Sequence, residues 1–408
     1  DVTKINKQIR EILDLFSTKT YIGYTATPFA NIFVDPDSDE EMLGRDLFPK
    51  DFIIGLDPPN NYFGPQKVFP LSEDDEEVII SPFTVGIHDN EDYIPAKQRD
   101  KEFDPIMPIS LKESIRYFMI VNAIKHLKGI YDDYDSSMMI NVSRFKQVQY
   151  KLSILVKLFL QEIKDSIIVN AGLKESSDKE FNLLKKQFFD NINSKEYTWI
   201  QVKKALIHTC KRVKVRLINS ASTDKLEYKK LSKENPPATF IAIGGNSMSR
   251  GLTLEGLSVS YMIRNSTMLD TILQMARWFG YRPGYEALCK IWLTEEMNES
   301  FSFITQCITE LREELISLDQ SGLPPSNFAI KVRNHPGSVL ITARNKMATA
   351  TAVRHNINLT ERVTETWSIP NKANQLDRNF DLTKDLINEL SLLQPDVRND
   401  LHNGKNGI

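Results

Sequence analysis

The chain has little of what would staple, anchor or metallate it. Only three cysteines (Cys210, Cys289 and Cys307) stand in 408 residues, and none has a metal-type spacing. A disulfide framework and a Cys-based zinc module are therefore not expected, and a reducing, cytoplasmic setting is. The six histidines are scattered and form no His-x-x-x-His pair, so no metal centre is expected from them. The longest apolar runs fall far short of a bilayer span, and no membrane partner is expected. An excess of one charge is also lacking: 51 basic residues face 54 acidic ones, for a net charge of −3. That balance neither supports nor excludes nucleic acid, because a local groove can bind a strand while the remaining surface stays acidic.

A nucleotide motif is missing as well. No Gly-x-x-x-x-Gly-Lys-Ser/Thr string occurs. Ala171-Gly172-Leu173-Lys174 and Gly404-Lys405 lack both the glycine spacing and the hydroxyl that would follow the lysine. No Asp-Glu-x-Asp string follows an apolar strand either. By its own residues the chain is not expected to hydrolyse ATP well, since nothing supplies a phosphate cradle and a magnesium carboxylate.

What is present centres on Ala238 to Tyr285. A short apolar strand, Thr239 to Ile243, stops at Gly244-Gly245. A polar loop, Asn246 to Gly251, places Arg250 beside a glycine that lets backbone approach a ligand. A second strand runs from Leu257 to Ile263. A helix from about Met268 carries Gln274 and Arg277 and delivers Arg282 just past its end. This succession predicts an open α/β sheet with a site at the carboxyl ends of its strands. Arginines there suit a polyanion, because a guanidinium grips two phosphate oxygens and keeps its charge.

The stretch resembles the closing motifs of the second RecA-like lobe of superfamily-two helicases. Asn246 to Thr253 (NSMSRGLT) is similar to the loop that senses nucleotide and touches the nucleic-acid backbone. The resemblance thereby implies nucleotide-binding roles for Gly245, Arg250, Gly251 and Thr253. Gln274, Arg277 and Arg282 resemble the motif that carries the arginine finger. The arginines fall three and eight residues after the glutamine, a departure from the family spacing that leaves open which is the finger. The strings YIGYTATPFANIFVDP and QMARWFGYRPGY narrow the resemblance to the bacterial Z-one domain family, described as endonucleases beside helicase-like modules. It covers roughly residues 1 to 350.

Three readings of function follow. The first is a helicase-like, nucleic-acid-dependent ATPase of a restriction or phage-defence type system, with DNA and complex subunits as partners. ATP and Mg²⁺ are the cofactors the resemblance implies. The second is a metal-dependent endonuclease, and the third a scaffold lobe whose arginines form structural ion pairs. The family places its phosphate loop upstream of the helix that opens this chain, so the sequence is expected to be a piece that starts late in the first lobe.

The expected organisation is α/β, with RecA-like parallel sheets flanked by helices. Residues 1–105 would be the remainder of lobe one, 106–347 a complete lobe two with a helical insertion at about 150–212, and 348–408 an incomplete extension. Tyr21 to Thr27 (YIGYTAT) reads as a strand. Its Thr25 and Thr27 resemble the Ser/Thr-Ala-Thr motif that couples hydrolysis to strand movement. Residues 35–105 read as acidic and loop-rich. The carboxylates of Asp35 to Glu41 are either a metal site or, as adjacent acids in a flexible run, a solvated loop. Ser137 to Ser143 reads as a buried strand leading into a helix. By resemblance Asn141, Ser143 and Arg144 there contact nucleic-acid phosphates, whereas a Ser-Arg pair alone would be a helix cap. His208 to Arg216 is the most basic run, either lining a strand groove or capping a helix end in solvent. Trp278 and Phe279 read as packing residues.

Overall fold

The structure, a computed structural model, describes residues 4–25, 39–40, 44–45, 51–70, 81–192, 196–228, 236–248, 252–264, 269–322, 324–325 and 373–392. The chain divides into two compact units, Asp1–Ala350 and Thr351–Ile408.

Six strands form the main sheet of the first unit: β1 (Thr84–Ile87), β2 (Ser136–Asn141), β3 (Val213–Ile218), β4 (Thr239–Gly244), β5 (Leu257–Met262) and β6 (Lys290–Thr294). Their order is β1-β6-β5-β2-β4-β3, and every neighbouring pair is parallel. The three central strands (β5, β2 and β4) are buried along their whole length. This is why they read as near-continuous apolar runs: a parallel strand covered on both faces has no solvent side to alternate with. The edge strand β3 does alternate, with Lys214 exposed between buried Val213 and Val215.

Helices flank this sheet, giving the α/β class expected. Helix α1 (Lys4–Asp14) opens the chain, and α2 (Ile109–Leu127) packs on β5. Fourteen α2 residues are buried on all sides of the helix, because α4 (Lys179–Asn191) and α5 (Trp199–Thr209) cover it in turn. Helix α3 (Lys146–Asn170) packs on β3 and β4. Helix α6 (Leu269–Met275) rests on α7 (Glu295–Ser321), which also touches β1 and β6. The segment expected as an insertion is thus helical, and its helices belong to the layer around α2. Local signals set its ends. Thr198 and Gln201 form a capping box at the start of α5, and Asp178 accepts the Phe181 N–H at 2.7 Å to start α4. In the second unit the described residues form one helix, α8 (Ala373–Leu392).

Three expectations need correction. Residues 21–25 carry no strand, and Tyr21, Ile22 and Tyr24 are exposed. A β-rich run becomes a strand only when a neighbour takes its backbone hydrogen bonds, and among the described residues no strand pairs with residues 21–25. The expected helix through Arg277 ends at Met275, where the backbone tightens so that Arg277 N bonds Met275 O at 2.8 Å. The acidic, loop-rich segment contains β1, which pairs with β6, while Tyr62–Phe63 pairs antiparallel with Gly280–Tyr281. A boundary at residue 105 therefore does not separate two sheets among the described residues. The expected strands at Val339 to Thr342 and Val363 to Ile369 lie outside the described residues.

One charge pair ties the helical layer together. Arg116 of α2 forks onto Glu180 of α4 through Nε (2.6 Å) and a terminal nitrogen (2.8 Å), both residues being buried. Removing one partner strands a buried charge. Arg116→Met should cost about 3 kcal/mol of unfolding free energy in urea titration, and pairing it with Glu180→Leu should recover part of that loss.

Candidate functional site

Because all six strands run the same way, the chain must return across the sheet after each one. The β4–β5 loop and α6 both make that return. Their far ends meet in a pocket of about 1000 Å³. Its floor is made by residues immediately before β2 (Asp133 to Asp135), before β4 (Pro237) and before β5 (Glu255 and Gly256). The pocket therefore sits at the amino ends of β2, β4 and β5. A parallel connection that starts at one end of a sheet has to finish at the other.

Thr253, Gln274, Arg277 and Arg282 all line this pocket. The two arginines are held differently. Arg282 donates to the backbone oxygens of Tyr281 (2.8 Å), Trp278 (2.9 Å) and Arg277 (3.4 Å), so its guanidinium clamps the turn that follows α6. Arg277 is anchored through Nε to the Met248 carbonyl at 2.9 Å, and burial lowers its pKa by penalising its charge. Trp278 is buried edge-on against Phe301, the packing role expected of it. Arg250, Gly251 and Thr27 lie outside the described residues. Thr25 is exposed and does not line the pocket.

Gly245, Asn141, Ser143 and Arg144 gather at the opposite, carboxyl end. A β-carbon on Gly245 would stand 2.9 Å from the Ser143 carbonyl and 2.6 Å from Gln149 Nε2. Glycine is needed there for close approach of the β4 end to the turn after β2. Ser143 Oγ accepts the Phe145 N–H at 3.0 Å, the helix-entry role that a serine in that place can fill.

Several lining residues were not singled out from sequence: Tyr62, Asp135, Glu255 and Arg312. Gly256 was visible as a glycine before an apolar strand. It has φ 61°, and a side chain there would meet the Asp135 carbonyl at 1.9 Å. Asp135 accepts the Ala238 N–H at 2.6 Å, and burial raises its pKa against the opposing pull of that bond and of Lys125. Within the basic run Arg212 pairs with Asp132 at 2.9 Å and His208 stacks on His126, while Lys211 and Lys214 are exposed.

The donors fit an arginine-bearing face that reaches an anion. Among the described residues they do not form a phosphate cradle, for no lysine and no glycine-rich loop of those residues line the pocket. Among the described residues no group of three His, Cys, Asp or Glu side chains could hold a metal ion, so no Mg²⁺ site is built from them. No helix among them is long and apolar enough to cross a membrane.

The fold and the arrangement of its loops define a parallel α/β domain with a pocket at one sheet end that three arginines and three carboxylates line. The Z1 domain family matches residues 110–340, more than half of the chain, and the chain belongs to that family. This is the Z-one family of the sequence resemblance. No curated protein and no solved structure compared with the chain matches it.

Behind the pocket wall lies a buried lysine. Lys125 Nζ donates to Ser136 Oγ at 3.0 Å and stands 4.4 Å from the Tyr285 ring centre, fully shielded from solvent. Burial pulls its pKa down to about 8, with Cys289 and Asp135 opposing and Arg282 adding to the fall. Its folded pKa is thus below the ordinary 10.5, and between those values the unfolded chain binds more protons. Stability should accordingly rise with pH from about 8 upward. Lys125→Met should flatten that rise, by up to about 3 kcal/mol across the window, in chemical denaturation run at matched pH values. Parallel pH profiles of the two proteins would contradict it.

Proposed function

We propose that the chain is a helicase-like, nucleic-acid-dependent ATPase module of a bacterial restriction or phage-defence type system. Its pocket at the amino ends of the sheet supplies an arginine to a nucleotide held in part elsewhere. The observation that carries this reading is the meeting of Thr253, Gln274, Arg277 and Arg282 in one pocket, although they come from a loop, a helix and a turn. ATP with Mg²⁺ supplies the phosphoryl group and the negative charge that builds as it transfers. Preorganised donors aimed at developing charge are worth most where water is scarce.

Within the pair, Arg277 is the finger. Its anchor on Met248 fixes it to the loop after β4, so movement of that loop would move the guanidinium. Arg282 is a positioning residue, because three backbone carbonyls of the same turn already hold its guanidinium. Gln274, one turn before Arg277, orients the finger or an attacking water. Thr253 and the β4–β5 loop join this end of the sheet to the end where Asn141, Ser143, Arg144 and Gly245 gather. DNA and the subunits of a defence complex are the partners proposed. For the endonuclease reading, the described residues offer no carboxylate cluster on which to build a site.

The test is ATP turnover by the full-length protein with and without single- and double-stranded DNA. Arg277→Ala should cut DNA-stimulated turnover by about 10³-fold, the scale seen when an arginine finger is removed. Arg282→Ala should lower the melting temperature as well as the rate. Equal turnover in Arg277→Ala and wild type would overturn the assignment.

A further inference from the structure

The carboxyl end of the sheet carries a second arginine pair. β2 and β5 are neighbours there, with Asn141 opposite Met262. The Asn141 carbonyl accepts N–H groups from Ile263 (3.2 Å) and Arg264 (3.4 Å), which fixes Arg264 beside the turn that carries Arg144. Arg144 is exposed, with its guanidinium 4.8 Å from the Phe145 ring centre. Among the described residues no carboxylate pairs with either arginine.

A buried terminal nitrogen of Arg264 has no hydrogen-bond partner among the described residues. Helix α3 begins at the same turn, and its N-cap Phe145 offers no side-chain cap to the first-turn N–H groups. Two like charges, an unsatisfied guanidinium N–H and an uncapped helix start together form a positive corner that no ion pair among the described residues neutralises. Leaving a buried charged donor unmade is costly, and an anion removes the cost. Burial, and after it the charge of Arg144, lowers the Arg264 pKa, which is the electrostatic mark of the same crowding.

We infer that Arg144 and Arg264 form a phosphate-binding pair for the backbone of a nucleic-acid strand crossing the carboxyl end of the sheet. This rests on the nucleic-acid-dependent reading above and adds Arg264, which no motif assigned. The open side of Arg144 lets an extended polymer reach the corner. Its position at the sheet end opposite the nucleotide pocket lets both ligands bind at once.

The test is anisotropy of a fluorescent oligothymidylate on the full-length protein across a salt series, with thermal shift in inorganic phosphate as a second readout. Arg144→Ala and Arg264→Gln should each weaken oligonucleotide binding about tenfold. Each should also make the log–log salt slope shallower by about 0.7. Arg264→Lys, which keeps the charge and is the variant safest for folding, should recover part of the affinity and the slope. Strand binding with unchanged affinity and slope in all three variants would overturn the pair and leave the ATPase reading standing. No strand binding by wild type, with a phosphate-dependent melting shift that the variants lose, would remove the nucleic-acid reading and keep the phosphate site. Absence of both would overturn both.

Discussion

Everything in this fold follows from the six strands of its sheet running in one direction. A parallel pair cannot be joined by a hairpin, so each connection has to recross the sheet. The crossings build the helical layers, and they also divide the loops into two sets. Loops that leave the strands gather at the carboxyl ends. Loops that arrive gather at the amino ends. One sheet thus has two chemically separate rims, and the buried central strands β5, β2 and β4 hold both at a fixed distance.

The two rims hold their arginines in different ways. At the amino rim Arg282 is consumed by the turn it clamps, and Arg277 is set against the β4–β5 loop. Acids share this pocket, Asp135 and Glu255 among them, so its arginines are local and directed. At the carboxyl rim Arg144 and Arg264 make no ion pair among the described residues, and the corner stays positive. A protein that binds a nucleotide at one rim and a strand at the other can couple them through the segment joining the two. Here that segment is the β4–β5 loop, from Gly245 at the carboxyl rim to Gly256 at the amino rim.

Much of this was legible in the residues. Strands β2, β4 and β5 were visible as apolar runs because burial on both faces removes the polar alternation. Gln274, Arg277, Arg282 and Thr253 were readable as a group because they lie within one stretch. The rim they occupy was not legible, since the direction of a loop depends on pairings between β5 and strands far away in sequence. β1 was missed because a four-residue edge strand in a turn-rich segment has too little pattern to declare itself. Tyr21 to Thr25 misled for the opposite reason: strong β-propensity without a neighbouring strand to pair with. Arg264 carried a usable signal, an arginine directly after a buried strand, yet its significance rests on Arg144, well over a hundred residues earlier.

The central claim is that nucleotide and nucleic acid occupy opposite rims of one sheet. Hydrogen–deuterium exchange of the full-length protein, with a non-hydrolysable ATP analogue and an oligonucleotide added separately, tests it most directly. The analogue should protect peptides covering 252–256 and 269–288, and the oligonucleotide those covering 141–149 and 262–264. Protection of the same rim by both ligands would contradict the account.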